Sequence, residues 1–401
     1  MATIFFASKF VQTLTAPNTH DLADEWLSKK EYGKGSTWNL KSNLSPADLY
    51  VYLKARFGPP NGVMMLARAP HSDNLIQWHY TLKSDSAKLE IVGFNTRTEF
   101  MISDYPNLSE ADRSALVDAI KMDFGRLGHE MNNVRKELEK WRLFYNPYYR
   151  LEKTVTRYYE ELSDLTKSDL ELPADPPTHS SVFMPSGTSL EKAKMEVYLS
   201  RIRELSDKYS RAADLSASLR LLCPVWAEAF INFIIFILSR DEKKKDERLY
   251  QDYLRRDVDV RVKLLHVNCK GFVKPIDAGD QHFKNFQSLM NDRNDLLHGN
   301  IDPDKLSYET VFFDGTIPFF TEPQGLARNS LGVSLKGIEP EESVNRVETV
   351  RSFIDYTIGH LEVSYGEQLR LMLNKRELGW RALTKKIGIL FPDYIAESFF
   401  Y

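Results

Sequence analysis

Cysteine is almost absent from this 401-residue sequence, which contains only two. Cys223 and Cys269 are too few to form a disulfide framework or a four-cysteine zinc site. Two free thiols suit a reducing compartment, so we expect a cytoplasmic protein.

The sequence also lacks an excess of charge of either sign. Its 53 basic and 56 acidic residues give a formal net charge of −3. The chain as a whole therefore has no electrostatic attraction to nucleic acid, and any site for a polyanion must be local.

Basic residues are missing ahead of the short apolar run at residues 4–7, which argues against a signal peptide. The longest apolar run, residues 221–238, approaches the length of a membrane span. It contains Pro224, and Glu228 and Asn232 lie one helical turn apart on one face. We interpret this run as a buried bundle helix with a polar notch, and the alternative is a membrane span.

What the sequence does contain is typical of a globular protein with large cores. Hydrophobic residues make up 42%, aromatic residues 12% and charged residues 27%, which excludes a disordered chain. The length predicts two or three domains. The patterns described below predict an α+β fold that is mainly α.

Residues 1–105 are predicted to form a small α+β domain. Capping signals frame a helix over residues 46–57, and three or four strand-like runs follow. Residues 76–82 alternate apolar and polar side chains as in a half-buried strand, which places His79 on the exposed face. Because no catalytic spacing occurs here, we interpret the domain as a recognition or regulatory module.

Residues 106–170 change to a helical pattern. Apolar side chains recur at three- and four-residue steps on both sides of the turn YNPYYR, residues 145–150, which predicts a long antiparallel helical hairpin. Residues 171–188 are rich in Pro, Ser and Thr and have no periodicity. They are interpreted as a linker or mobile loop.

Residues 189–401 are predicted to form a helical domain with a small β-hairpin at residues 307–320. Further helices follow, including one in the tail from Glu377. A charged segment at residues 239–263 has two readings. Either it is a solvated helix face, or its basic clusters, residues 243–245 and 255–256, follow a nucleic-acid backbone.

The segment MNDRNDLLHGN, residues 290–300, places a cation in a packing stripe. The residues that share one helix face are Phe283, Phe286, Met290, Arg293 and Leu297. A guanidinium is almost never fully buried without a partner, and Glu228 on the neighbouring helix is the predicted partner of Arg293. The helix is expected to end at His298, before Gly299.

Local roles would also explain these residues. Arg293 could form an ion pair only, and His298 could complement the negative end of the helix dipole, an effect of about 0.3–1 kcal/mol. The two residues lie about 140° apart around the helix axis. In one chain these polar groups therefore point in different directions. Two copies related by a two-fold axis would bring Arg293 and His298 of both chains to one dimer interface.

Arg293, Asn294 and His298 resemble the R-N-x-x-x-H motif of HEPN domains, and the motif sits at a helix end as it does in that family. Residues 224–238 resemble the long apolar helix that packs against the motif helix there. The resemblance covers about residues 190–375 and implies a C-terminal HEPN-like helical bundle.

Many HEPN proteins with this motif are metal-independent ribonucleases that act as homodimers, often in toxin–antitoxin or antiviral defence systems. The resemblance therefore implies an RNA substrate, no cofactor, catalytic roles for Arg293, Asn294 and His298, and a possible antitoxin or trigger protein as partner. A subgroup carries a tyrosine two residues after the histidine as a target for nucleotidylation. Asn300 occupies that position here, so this control is not expected.

The chemistry of these side chains suits RNA cleavage. The ribose 2′-OH is an internal nucleophile, an imidazole can exchange its proton near neutral pH, and a guanidinium can stabilise phosphorane oxygens. The alternatives are a non-catalytic HEPN module that binds a nucleotide or a partner protein, and an interaction protein organised by the helical hairpin at residues 106–170.

Overall fold

The structure is a computed structural model that describes residues 9–28, 36–38, 44–69, 74–85, 87–94, 97–103, 109–167, 189–299, 310–320 and 340–390. The chain divides into two compact units. The first contains residues 1–142, 381–384 and 390–401, and the second contains residues 143–380 and 385–389. The fold is α+β and mainly α, as the sequence predicts. The linker expected at residues 171–188 lies outside the described residues.

The first unit combines one antiparallel sheet with helices. Its helices are α1 (Thr19–Ser28), α2 (Pro46–Phe57), α3 (Glu110–Arg126) and α4 (Gly128–Glu137), with a 3-10 turn at Val63–Met65. Its strands are β1 (Ser36–Trp38), β2 (Ile76–Lys83), β3 (Lys88–Phe94) and β4 (Thr98–Ser103), in the spatial order β1-β4-β3-β2. The predicted helix at residues 46–57 is confirmed, because Ser45 accepts a hydrogen bond from the Asp48 amide and Gly58 ends the helix at φ +81°.

His79, expected on an exposed face of β2, is buried, so that prediction is wrong. Its imidazole Nδ1 accepts a 3.4 Å hydrogen bond from the amide of Met64. The Gly62 amide also donates to the His79 carbonyl at 2.9 Å. Alternation along a strand predicts one covered face, but in β2 residues 79–82 are buried on both faces. Burial lowers the pKa of His79, although the Glu90 carboxylate partly opposes this.

The helical hairpin predicted at residues 106–170 is wrong. Helices α3 and α4 pack their apolar residues, including Leu116, Ile120 and Met131, into the core of the first unit. The helix after the turn, α5 (Pro147–Lys167), contributes Val155 and Leu162 to the core of the second unit. Strand β5 (Arg142–Tyr145) separates the two helical stretches, so their apolar faces have different partners.

The second unit is a helical bundle. Its helices after α5 are α6 (Ser189–Leu238), α7 (Asp241–Lys245), α8 (Glu247–Arg255), α9 (Val258–Lys263), α10 (Leu265–Asn268), α11 (Gln281–His298), α12 (Pro340–Ile358) and α13 (Val363–Leu373). Its core includes side chains from α5, α6, α11 and α12. Asn146 anchors the start of α5, because its amide nitrogen donates to the carbonyls of Met372, Leu373 and Lys375 at 3.0–3.2 Å.

Helix α6 contains the long apolar run. Among the described residues it is the one helix long and apolar enough to cross a membrane. In the structure, 56% of its most apolar 18-residue stretch is buried. A core helix of a soluble protein has the same composition, and α6 packs against α5, α11 and α12. The interpretation of this run as a bundle helix is therefore confirmed.

Two further sheets of the chain are short. Strands β6 (Val311–Asp314) and β7 (Ile317–Phe320) form the predicted hairpin, with Gly315 at φ +60° in its tight turn. The helix predicted in the tail from Glu377 is wrong for residues 377–390, which form β8 (Glu377–Arg381) and β9 (Lys386–Gly388) and join β5 in the order β5-β8-β9. The rest of that prediction, residues 391–401, lies outside the described residues. Short apolar runs do not distinguish a strand from a helix by periodicity alone.

Candidate active site

Helix α11 is fixed by the apolar face that the sequence predicts. Phe283, Phe286 and Met290 are buried, and the Phe286 ring stacks on the Phe353 ring of α12 with centroids 4.1 Å apart. The stripe ends at Arg293, because Leu297 is 64% exposed. The expectation that Leu297 continues the packed face is therefore wrong, and the last turn of α11 projects beyond the core.

Arg293 contacts the carboxylate that the sequence assigned to it. Its Nη1 donates a 2.9 Å hydrogen bond to Oε2 of Glu228 on α6. Both side chains are largely covered, with exposed fractions of 20% for Arg293 and 28% for Glu228. The predicted contact is confirmed, and it explains how an apolar stripe accommodates a permanent cation: the guanidinium meets an anion at the edge of the core.

Arg261 is a third member of this cluster, and sequence reasoning missed it. It lies on α9 with 7% of its side chain exposed, and its Nη2 donates to Oε1 of Glu228 at 2.5 Å. Its Nη1 also donates to Oδ1 of Asn232. The polar notch of α6, Glu228 and Asn232, is thus filled by one guanidinium from α9. The cluster of Glu228, Asn232, Arg261 and Arg293 is called the arginine clamp below.

The arginine clamp carries a net positive charge. Burial alone would raise the pKa of Glu228, but hydrogen bonds from Arg261 and Arg293 outweigh burial and hold that pKa below its usual value. Glu228 is therefore ionised at neutral pH, and arginine stays protonated. One carboxylate between two guanidiniums gives the clamp itself about one positive charge, but Asp292 and Asp295 lie on the same turns of α11, so the excess does not extend over this end of the helix.

Asn294 extends the arginine clamp toward solvent. Its Oδ1 accepts hydrogen bonds from Nε and Nη2 of Arg293, at 3.3 and 3.1 Å. The Asn294 side chain is exposed, unlike Arg293. The asparagine therefore orients the outer edge of the guanidinium rather than its buried edge.

His298 lies apart from the clamp, at the last position of α11. Its side chain is exposed, and no described residue is hydrogen-bonded to its imidazole. Gly299 follows at φ +62°, a left-handed conformation that ends the helix as the sequence predicts. The structure thus brings together Arg293, Asn294 and Glu228, whereas the His298 side chain is exposed and makes no hydrogen bond with this cluster.

The sequence signal for Arg261 was present but ambiguous. Arg261 falls in the charged segment at residues 239–263, yet it is flanked by the apolar residues Val260 and Val262, and Val262 is fully buried. Other basic residues of this segment have local roles. Lys244 donates to the carbonyl of Ile237 at 3.0 Å, and Arg256 pairs with Asp252 at 2.8 Å. Lys244 and Arg256 are therefore committed to local contacts, and the nucleic-acid reading of this segment stays a prediction.

Among the described residues, no group of three or more His, Cys, Asp and Glu side chains could hold a metal ion. Cys223 and Cys269 are both buried and unpaired as thiols, and burial raises the pKa of each to about 12. Neither thiol is prepared for nucleophilic chemistry.

Comparisons with family models, curated proteins and solved structures find no match for this chain. The likeness to HEPN domains therefore rests on the motif residues of α11 and on the apolar part of α6.

Proposed function

We propose that the chain is a metal-independent endoribonuclease of the HEPN type. The observation that carries this proposal is the arrangement at the end of α11. A guanidinium, Arg293, is held by Glu228 at the core edge, Asn294 extends it into solvent, and His298 is exposed at the end of the same helix. A polyanion that reaches this end would meet the amide and the outer edge of the guanidinium, whereas the imidazole lies about 140° further round the helix axis.

RNA supplies its own nucleophile, so the side chains need only move protons and stabilise charge. The ribose 2′-oxygen attacks the adjacent phosphorus, a 2′-O–P bond forms, and the P–O5′ bond breaks. His298 accepts the 2′-OH proton or donates a proton to the leaving 5′-oxygen. Arg293 stabilises the charge on the phosphorane oxygens, and Asn294 orients the phosphate. The products are a 2′,3′-cyclic phosphate and a 5′-OH.

A homodimer fits this mechanism better than a monomer. One strand break needs a base and an acid, and each chain offers one histidine at this end of α11. The His298 residues of two chains facing each other would supply both roles. The exposed Leu297 beside His298 supplies an apolar contact for such a seam.

The setting we propose is cytoplasmic, as in toxin–antitoxin or antiviral defence systems. The first unit would then select a trigger or neutralising protein, since it contains none of the motif residues. Toxicity on expression that His298→Ala relieves would support this setting.

One observation favours a second candidate function. The Arg293 guanidinium already makes three hydrogen bonds, to Glu228 and Asn294, so two of its five N–H donors remain for a scissile phosphate. A non-catalytic HEPN module would use these two donors and the exposed Asn294 to bind a nucleotide or a partner protein without cleaving RNA.

The test is incubation of mixed RNA with the purified protein in EDTA. Cleavage should persist, give 2′,3′-cyclic phosphate ends, and disappear in Arg293→Ala and His298→Ala. His282→Ala is the matched control, because His282 is another exposed histidine on α11, at the opposite end of the helix. Cleavage that survives in His298→Ala would contradict the proposal. Nucleotide binding without RNA cleavage, by a protein that is not toxic when it is expressed, would favour the second candidate.

A further inference from the structure

A second basic surface lies on the first half of α5, away from the motif residues of α11. Arg150, Lys153 and Arg157 recur at steps of three and four residues, so they share one face of the helix. All three side chains are exposed. Along the helix axis their positions are about 4.5 and 6 Å apart. Beyond Arg157 the face turns acidic at Glu160 and Glu161, which marks its end.

The three cations of this face have no ion-pair partner within the part of the chain that the structure describes. A basic residue of the adjacent helix α6 does have an ion-pair partner on α5. Arg211 makes a two-point contact with Glu161, at 2.7 and 2.9 Å. Glu152 and Glu161 interact electrostatically with Lys153 and Arg157 but form no ion pair with them, so the first half of α5 keeps an excess of positive charge.

These cations line a groove of about 370 Å³. Its walls include Tyr145, Tyr149 and Thr154, and the pair formed by Arg376 and Glu377, 2.6 Å apart. Because that pair is internally balanced, the groove has a net charge of about +3 from the three unpaired cations. The chain as a whole is slightly acidic, so this surface is a local exception.

Aromatic rings accompany the positive charge. Tyr145 is 63% exposed at the groove, and the Lys153 ammonium lies 5.3 Å from the centre of the Tyr149 ring. Cations that follow a backbone, together with exposed rings on which bases stack, are the elements of single-strand recognition without sequence preference. An acidic protein would match the charge but would leave the exposed tyrosine unexplained.

We propose that this groove, called the α5 groove, binds single-stranded RNA. Arg150, Lys153 and Arg157 contact successive phosphates, and Tyr145 stacks on a base. The inference deepens the proposed function, on which the choice of RNA rests, because it adds a docking surface that is separate from the cleavage residues. Substrate would be retained by the α5 groove as well as by the motif residues of α11.

The test measures binding separately from cleavage. A fluorescent single-stranded RNA is titrated against full-length His298→Ala protein over a series of salt concentrations. Each lost phosphate contact lowers the slope of log K against log salt by about 0.7 for single strands. The triple variant Arg150→Gln, Lys153→Gln and Arg157→Gln should therefore lower the slope by about 2 and weaken binding at low salt at least tenfold.

The matched control is a triple variant that removes the same charge elsewhere in the second unit, Lys208→Gln, Arg256→Gln and Lys270→Gln. Each of these residues is already ion-paired, so the slope should stay within about 0.7 of the parent value. Tyr145→Ala should weaken RNA binding about tenfold and leave the salt slope unchanged.

The outcomes separate this inference from the nuclease proposal. Equal slopes for the α5 triple variant and the control would overturn the α5 groove, even if His298-dependent cleavage is observed. A reduced slope with no effect of Tyr145→Ala would overturn the assignment to RNA, since any polyanion would then suffice. RNA binding that needs both the cations and Tyr145, in a protein without His298-dependent cleavage, would support the groove and contradict the nuclease.

Discussion

Glu228 and Arg293 are 65 residues apart in the sequence and are joined by a hydrogen bond of 2.9 Å between Oε2 and Nη1. The bond links α6 to the last turns of α11. It determines where the guanidinium of the candidate motif lies, because the opposite oxygen of the same carboxylate is held by Arg261. The position of Arg293 thus depends on three helices.

Glu228→Gln should destabilise the fold. The amide has nearly the same shape but leaves two largely covered guanidiniums without a counter-charge. Removing one member of a buried pair costs about 3–5 kcal/mol, and partial exposure of Glu228 reduces our expectation to about 1–3 kcal/mol. Urea denaturation would measure the loss. Glu367→Gln, at an exposed position of α13, should change the free energy of unfolding by less than about 0.5 kcal/mol.

Arg261→Met should cost about 2–4 kcal/mol of unfolding free energy, because Glu228 loses a hydrogen-bonded counter-ion and Asn232 loses its donor. Arg255→Met is the control, since Arg255 is exposed at the end of α8. Combining Arg261→Met with Glu228→Gln should cost less than the sum of the two single variants, because both break the same contact. Additive losses would show that the two side chains stabilise the fold independently.

The lowered pKa of Glu228 predicts a pH dependence of stability. The unfolded chain binds a proton at Glu228 more readily than the folded chain, so the contribution of this residue is complete above its ordinary pKa of 4.5. It is lost as the pH falls through the lower pKa of the folded state. Urea midpoints measured from pH 7 to pH 3 should fall less steeply in Glu228→Gln than in the parent protein. Parallel curves would contradict the assignment.

Two residues of the α11 stripe should behave differently. Phe286→Ala removes a fully buried ring that stacks on Phe353 and should cost about 3–5 kcal/mol. Leu297→Ala should change the stability of the monomer by less than about 0.5 kcal/mol, since its side chain is exposed. If Leu297 lies at a seam between two chains, the same variant should weaken self-association in sedimentation experiments. A large loss of monomer stability in Leu297→Ala would place it in the core instead.

The sequence predicted the Glu228–Arg293 contact because each residue lies on the apolar face of its helix, where a charged side chain needs a partner of opposite charge. It did not predict Arg261, since a single arginine in a run of alternating charges looks solvated until the fold brings α9 against α6. The same limit applies to the helical hairpin expected at residues 106–170. Periodicity identified helical stretches there, but it cannot say which core an apolar face will enter.

His79 and the chain after Glu377 illustrate two further limits. Alternation along β2 implied one exposed face, and residues that are distant in sequence, such as Gly62, cover that face in the fold. The stretch after Glu377 is short and apolar, and its pairing with β5 decides its conformation rather than its local pattern. In both cases the deciding contacts are long-range.

The two guanidiniums and one carboxylate of the arginine clamp keep the same charge throughout the physiological pH range. Neither arginine releases its proton there, and the carboxylate stays ionised. If cleavage occurs at this end of α11, a change of rate around neutral pH must therefore originate outside the clamp.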